Sequence, residues 1–153
     1  MTTPTPPIEL AAAPEDVRAH LRGAEVSLPA DVRDALAAAC PTSDAPGDRA
    51  ETSRDWWPLA MHWALRGEVP GLAAAVCRPR TTEEVAAVLR VCGDAQVPVT
   101  TAGGRSGVCG ASVPVHGGVV LDTTELTGVM AIDDVSLTVD VRAGTFGPDL
   151  EAT

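Results

Sequence analysis

The sequence contains no tyrosine and a single phenylalanine, and aromatic residues make up only 3% of its 153 positions. A core built almost without large rings must be filled by small and branched side chains. At 45% hydrophobic content, Ala and Val carry that filling. Basic residues are also scarce: 11 Lys and Arg stand against 21 Asp and Glu, a net charge of −10. A nucleic-acid partner needs a basic footprint, so that class is excluded, and the acidity reads as a solubility feature. Cys40, Cys77, Cys92 and Cys109 form no C-x-x-C pair, and no histidine lies at ligand spacing from them. That argues against a zinc site or a disulfide framework and for buried or idle thiols in a reducing compartment. No apolar run approaches the roughly 20 residues of a membrane span. The opening Met1-Thr2-Thr3-Pro4-Thr5-Pro6-Pro7 lacks the basic and apolar regions of a signal peptide. The expectation is a soluble, cytoplasmic protein with no metal.

What is present begins quietly. Residues 1–13, rich in Thr, Pro and Ala, read as a disordered leader. Residues 14–67 read as a helical region. Its first helix covers about 14–21, and a second starts at Pro29 and runs through Val32, Leu36 and Cys40. A polar linker occupies 41–53, and a third helix spans 54–67, with Asp55 as cap, Pro58 in the first turn and Gly67 at the end. Trp56, Leu59, Ala60 and Trp63 share one face of that helix, a spacing that more often marks core or a docking face than cofactor contact.

From residue 70 the pattern tightens. Residues 72–77 form a small apolar strand. Thr81-Thr82-Glu83-Glu84 is a capping box, with Thr81 as the cap and Glu84 reaching back. Val85, Val88, Leu89 and Cys92 follow at i, i+3, i+4 and i+7, the buried face of a helix. Residues 97–100 and 119–121 are further apolar strands, and this order gives parallel strands joined by a helical crossover. A short strand follows within 126–132. Val135, Leu137, Val139, Val141 and Ala143 then alternate with polar residues, a strand with one solvated face. Residues 148–153 begin a helix.

Function concentrates where the strand at 97–100 runs into Thr101-Ala102-Gly103-Gly104-Arg105-Ser106-Gly107-Val108-Cys109-Gly110, which holds four glycines in eight residues. Glycine lets a turn aim several backbone N–H groups at one anion and lets a ligand approach the main chain. The loop is not a Walker loop, because no lysine lies in the region. It is not a Rossmann fingerprint either, because the glycine spacing differs and no helix follows. A phosphate-binding nest and a plain tight turn both fit the residues. Asp122, at the end of a strand, reads as a hydrogen-bond acceptor rather than a ribose ligand. His116 reads as a loop residue, and His20 and His62 have no partners in view.

Taken in order, Thr81-Thr82-Glu83-Glu84-Val85, Val97-Pro98-Val99, Gly103-Gly104-x-Ser106, Gly117-Gly118-Val119-Val120-Leu121-Asp122 and Leu137-Thr138-Val139-x-Val141-x-Ala143-Gly144 resemble the FAD-binding (PCMH-type) domain of the vanillyl-alcohol oxidase/p-cresol methylhydroxylase superfamily. The likeness covers about 70–153. The resemblance implies an α+β first FAD subdomain: a small, largely parallel sheet with covering helices plus antiparallel strands, incomplete at its C-terminal end. It implies that Thr101, Ala102, Gly103, Gly104, Arg105, Ser106 and Gly107 wrap the FAD diphosphate, with Val108, Cys109 and Gly110 continuing along the flavin. Some relatives attach flavin through a loop histidine, and the corresponding position here is Ser106, so non-covalent FAD is expected. Two positions depart from the family pattern: Ala102, often Arg, and Arg105, often a third Gly. At Arg105 an outward, solvated side chain is favoured over a cation for the diphosphate.

Within the superfamily the chain is similar to hydroxy-acid dehydrogenase and glycolate oxidase subunits and to alkyldihydroxyacetonephosphate synthase. Leu121-Asp122-Thr123-Thr124-Glu125-Leu126 modestly favours the synthase-like branch. The resemblance implies an oxidoreductase of a hydroxy acid or alcohol or, alternatively, a flavin-dependent transferase. A fragment that binds no cofactor is the third reading. The second FAD subdomain and the substrate domain would lie beyond Thr153, or on a second chain.

Overall fold

The computed structural model describes residue 6 and residues 8–23 and 26–152. It opens with a single 3-10 turn, Pro14–Asp16, followed by the two-residue strand β1 (Arg18–Ala19). The expected helix over 14–21 is absent, because after Asp16 the chain pairs in parallel with β3 rather than coiling. Helix α1 (Ala30–Ala39) follows, with Pro29 as its N-cap and Val32 and Leu36 buried. The expected linker at 41–53 is instead an edge strand and a helix, β2 (Thr42–Ser43) and α2 (Pro46–Thr52). β2 pairs antiparallel with β4, and α2 buries Ala50 and Thr52. Of the expected disordered leader over 1–13, residues 1–5 and 7 lie outside the described residues. In the described part, Ala11 N–H donates to the Ala64 carbonyl and the Ile8 carbonyl accepts from Arg54, so 8–13 is tied down.

Helix α3 is Pro58–Ala64, shorter than the expected 54–67. Asp55 does not cap it: Asp55 Oδ1 accepts from the Trp57 N–H at 3.0 Å, closing a turn ahead of the helix. Ala60 and Trp63 face inward, whereas Trp56 and Leu59 are exposed. His20, expected to lack partners, bonds Glu68 at 2.8 Å and stacks on Trp63. Strand β3 (Glu68–Val69) completes that small pair.

The main sheet then forms from β4 (Ala75–Cys77), helix α4 (Thr82–Asp94), β5 (Val99–Ala102) and β6 (Val119–Asp122). Its order is β2-β4-β6-β5, with β4, β6 and β5 mutually parallel. Thr81 accepts from Glu84 N–H at 3.2 Å, while the Glu84 carboxylate reaches past the cap to Arg80 N–H. On one face of the sheet Ala75, Cys77, Val119 and Leu121 pack against Leu36 and Cys40 beside α1 and Val88 and Cys92 of α4. Val76, Ala102 and Val120 face the other way and are equally buried with Ala73. Burial on both faces is why these strands read as unbroken apolar runs. Leu89, expected on the buried face of α4, is 47% exposed, because the face turns toward Val85, Val88 and Cys92.

A 3-10 turn, Thr123–Glu125, leads to the antiparallel hairpin β7 (Val129–Asp133) and β8 (Thr138–Val141) and then to α5 (Gly147–Glu151). Every residue of β8 is exposed.

Candidate cofactor site

The loop at 103–112 leaves the sheet at the carboxyl end of β5, beside the carboxyl end of β6, with Ala102 in register with Asp122. In parallel sheets that edge is where ligands bind, because loops there have no strand to continue. The backbone of the loop is held open from several sides. Thr123 Oγ1 donates to the Ala102 carbonyl at 3.3 Å. Ala143 and Gly144 tuck in beside the loop's start: a Cβ on Gly144 would lie 2.2 Å from the Thr123 carbonyl oxygen, and one on Gly103 would lie 3.9 Å from that of Ala143. At the far end Gly110 has φ +75°, and a Cβ there would stand 3.0 Å from the Trp57 ring. Trp57 in turn meets Trp63 edge to face at 5.3 Å. The Trp cluster is therefore a floor beneath the end of the loop. The helical stripe Trp56, Leu59, Ala60 and Trp63 did not bring out Trp57, whose role comes from the turn that Asp55 closes.

Among the described residues, none of the backbone N–H groups from Gly104 to Ser112 donates to another protein group. A backbone this rich in uncommitted donors is built to meet an acceptor from outside. Ser106, Gly107, Val108 and Cys109 are exposed, so the donors are accessible.

Behind the loop lies an ionic cluster that sequence spacing did not disclose. Asp122 is buried, and its Oδ1 accepts from Thr124 N–H and Oγ1 at 3.1 and 2.7 Å, as expected for a strand-end acceptor. Its Oδ2 faces two guanidiniums, with Arg78 Nε at 3.3 Å and Arg105 Nη1 at 3.8 Å. Arg78 is braced on its other side by Asp48 at 3.0 Å, and that contact and a hydrogen bond from Ser43 lower the Asp48 pKa. The Arg105 side chain is only 9% exposed, so the outward, solvated orientation is corrected. The backbone is the reason. Arg105 sits at φ +51°, the left-handed region that glycine favours, which turns its side chain back toward Asp122. Burial pulls its pKa below the ordinary value, and Asp122 opposes that pull. The guanidinium stays charged at neutral pH. Arg105 Nε is buried and has no partner.

Asp55 closes the other flank, its Oδ2 receiving Ser112 Oγ at 3.5 Å. Ala102 is 1% exposed and packs in the core, so the arginine common at this position in the resembled family has no space here. Cys109 is exposed, whereas Cys40, Cys77 and Cys92 are buried. Desolvation pushes the Cys77 thiol up to about 12. His116 is exposed in the 113–118 turn. A separate cleft of about 760 Å³, bounded by Val17, Arg49, Leu72 and Val115, takes no residue from 101–110. No helix among the described residues is long and apolar enough to cross a membrane.

A diphosphate fits these features: a backbone with uncommitted N–H donors, glycines that leave it bare, and a buried cation with a free N–H. Comparison with known proteins gives the family. The chain is 36% identical over 92 residues to a D-lactate dehydrogenase of Anaerostipes hadrus, covering 60% of this chain and 18% of that protein. It is 33% identical over 76 residues to a glycolate oxidase subunit of Bacillus subtilis, covering 50% and 16%. It is 37% identical over 76 residues to the mitochondrial D-2-hydroxyglutarate dehydrogenase of Danio rerio, covering 50% and 14%. The chain thus spans less than a fifth of the length of these relatives. Solved alkyldihydroxyacetonephosphate synthase has the same fold over 87% of this chain and 28% of its own, with TM-score 0.74 and 20% identity. p-Cresol methylhydroxylase follows over 80% and 23%, with TM-score 0.65 and 17% identity. Residues 73–153 match the FAD binding domain family, and the chain belongs to that family, with FAD as its cofactor.

Proposed function

We propose that this chain is the diphosphate-binding part of a flavin-dependent oxidoreductase that acts on a hydroxy acid or alcohol, and that Gly103, Gly104, Arg105, Ser106, Gly107, Val108, Cys109 and Gly110 form its side of the FAD site, with Thr101 and the buried Ala102 at the end of β5 anchoring the loop rather than touching the cofactor. The observation that carries this reading is the run of uncommitted N–H groups from Gly104 to Ser112 at the carboxyl end of β5. Bound flavin supplies hydride and electron chemistry. The chain's own contribution is to neutralise and orient the diphosphate through main-chain donors, with Arg105 beside them. Residue 106 is serine, which supports non-covalent attachment.

The hydroxy-acid substrate class rests on the relatives at 33–37% identity, which are named for D-lactate, glycolate and D-2-hydroxyglutarate. The transferase reading rests on fold alone. We place the substrate-binding residues in the remainder of the enzyme, on the same chain or on a second one, because the relatives are several times longer. The domain division follows: 14–67 as an N-terminal region that braces the loop through Asp55 and Trp57, and 70–153 as the first FAD subdomain.

Titration of FAD with the purified chain, followed by flavin fluorescence, tests the proposal. Saturable quenching is expected, weakened at least tenfold by Gly104→Val, whose branched side chain stands where the anion approaches the backbone. Absence of saturable binding by the unaltered chain would overturn it.

A further inference from the structure

We propose that Asp122 is a positioning residue that stores Arg105 as an internal counter-cation for the cofactor's diphosphate, so that the chain selects a diphosphate-bearing flavin over a flavin mononucleotide. The inference rests on the FAD reading above and assigns a device that reads the second phosphoryl group to it.

Arg105 is unusual in its place. A long cationic side chain stands at a left-handed position inside a glycine loop, where φ is +51° and a glycine would carry no strain. Its side chain is nine-tenths buried although it sits on an exposed loop. A buried guanidinium is retained against its desolvation only where an anion faces it. Asp122 supplies that anion weakly, with Glu51 as a second and smaller contribution. The Asp122 Oδ2 lies 3.8 Å from Arg105 Nη1, longer than a hydrogen bond, and 3.3 Å from Arg78 Nε. The nearer guanidinium, Arg78, is also fixed by Asp48 at 3.0 Å. Arg105 is thus the loosely held member of the cluster, and its Nε has no acceptor.

A guanidinium satisfies its donors best against a pair of coplanar oxygens, as a carboxylate or phosphate presents them. The uncommitted loop donors flank Arg105 along the chain. The diphosphate of FAD and the phosphate monoester of FMN both carry about two negative charges at neutral pH, so the distinction lies in reach: two linked phosphoryl groups can meet the loop donors and the Arg105 fork together. A monophosphate ester at the end of a flavin lacks the second phosphoryl group and engages fewer of these donors. Arg78 keeps Asp122 paired when Arg105 turns toward the ligand, so no uncompensated carboxylate is left behind.

The test compares FAD, FMN and inorganic pyrophosphate on the unaltered chain, Arg105→Gly, Arg105→Lys and Asp122→Asn. Arg105→Gly suits the left-handed backbone, so loss of affinity there reports the missing cation and not a misfolded loop. Affinity for FAD is expected to fall about tenfold or more in Arg105→Gly, with a shallower dependence on salt, while the weaker affinity for FMN changes little. Arg105→Lys, which keeps the charge without the fork, should recover part of the loss. Asp122→Asn should weaken FAD with the salt dependence retained, because the cation is present but unplaced. A second readout is the Arg105 Nε–H resonance, identified by its absence in Arg105→Gly, which should move on adding inorganic pyrophosphate. Equal FAD affinity in Arg105→Gly and the unaltered chain would overturn the inference and leave the FAD reading standing. A chain that shifts this resonance with pyrophosphate but takes no FAD would fail the flavin reading and keep the clamp. A chain that responds to neither ligand would overturn both.

Discussion

Residues that look alike in the sequence separate sharply by environment. Cys40, Cys77 and Cys92 lie in the core between α1, α4 and the sheet, where burial raises each thiol pKa. Cys109 lies exposed in the glycine loop after β5. A thiol reagent such as Ellman's reagent should therefore modify one cysteine per folded chain and four in denaturant, and Cys109→Ser should abolish the native reaction. Fast modification of more than one thiol in the folded chain would contradict the packing. The glycines separate in the same way. Gly118 has φ +72°, and a Cβ there would fall 2.2 Å from the Pro98 carbonyl oxygen, at the entry to β6. Gly118→Ala should destabilise the chain by about 3 kcal/mol, from left-handed strain plus a forced backbone shift. Its urea midpoint would fall with the slope unchanged. Gly147, with nothing near its Cβ position, should accept alanine with little change.

At the level of elements, legibility followed periodicity. α4 was readable because the Thr81 cap and the apolar spacing point to the same helix, and both were found. β4 and β6 were readable because burial on two faces leaves a continuous apolar run, whereas β5, Val-Thr-Thr-Ala with Thr101 exposed, begins two residues later than the expected 97–100. β1, β2 and β3 were not readable, since a two-residue strand has no period and exists only through its partner. The buried face of α4 was misjudged by one position, and the error is measurable. Val88→Ala should cost about 2 kcal/mol of stability, whereas Leu89→Ala, half exposed, should stay within about 0.5 kcal/mol. Chemical denaturation of the two variants side by side checks the assignment. In the candidate site, the glycine loop proposed to hold the diphosphate stands out by composition. Arg105, Asp122 and Arg78 were not seen as a cluster, because residues 78, 105 and 122 meet only through the parallel pairing of β4, β6 and β5.

For the whole molecule, the hairpin is the exposed element. Ile132 lies opposite Val139, and Val129 opposite Val141, which puts them on one apolar face. Ile132 is 67% exposed, and at the turn Val135 and Leu137 are 94% and 88% exposed. An uncovered apolar strand pair of this kind favours association. Leu137 also has φ +52°, a conformation that asparagine adopts more easily than leucine. Leu137→Asn should raise thermal stability slightly and reduce concentration-dependent light scattering; unchanged scattering would show that the hairpin face is not what associates. Amide resonances of the loop at 103–112 read cofactor contact directly on adding FAD to the labelled chain. Resonances of Gly104, Arg105, Ser106, Gly107 and their neighbours through Ser112 should shift together and saturate at one concentration. Shifts confined to the cleft at Val17, Arg49, Leu72 and Val115, or no shifts at all, would contradict the assignment of the FAD diphosphate to this loop.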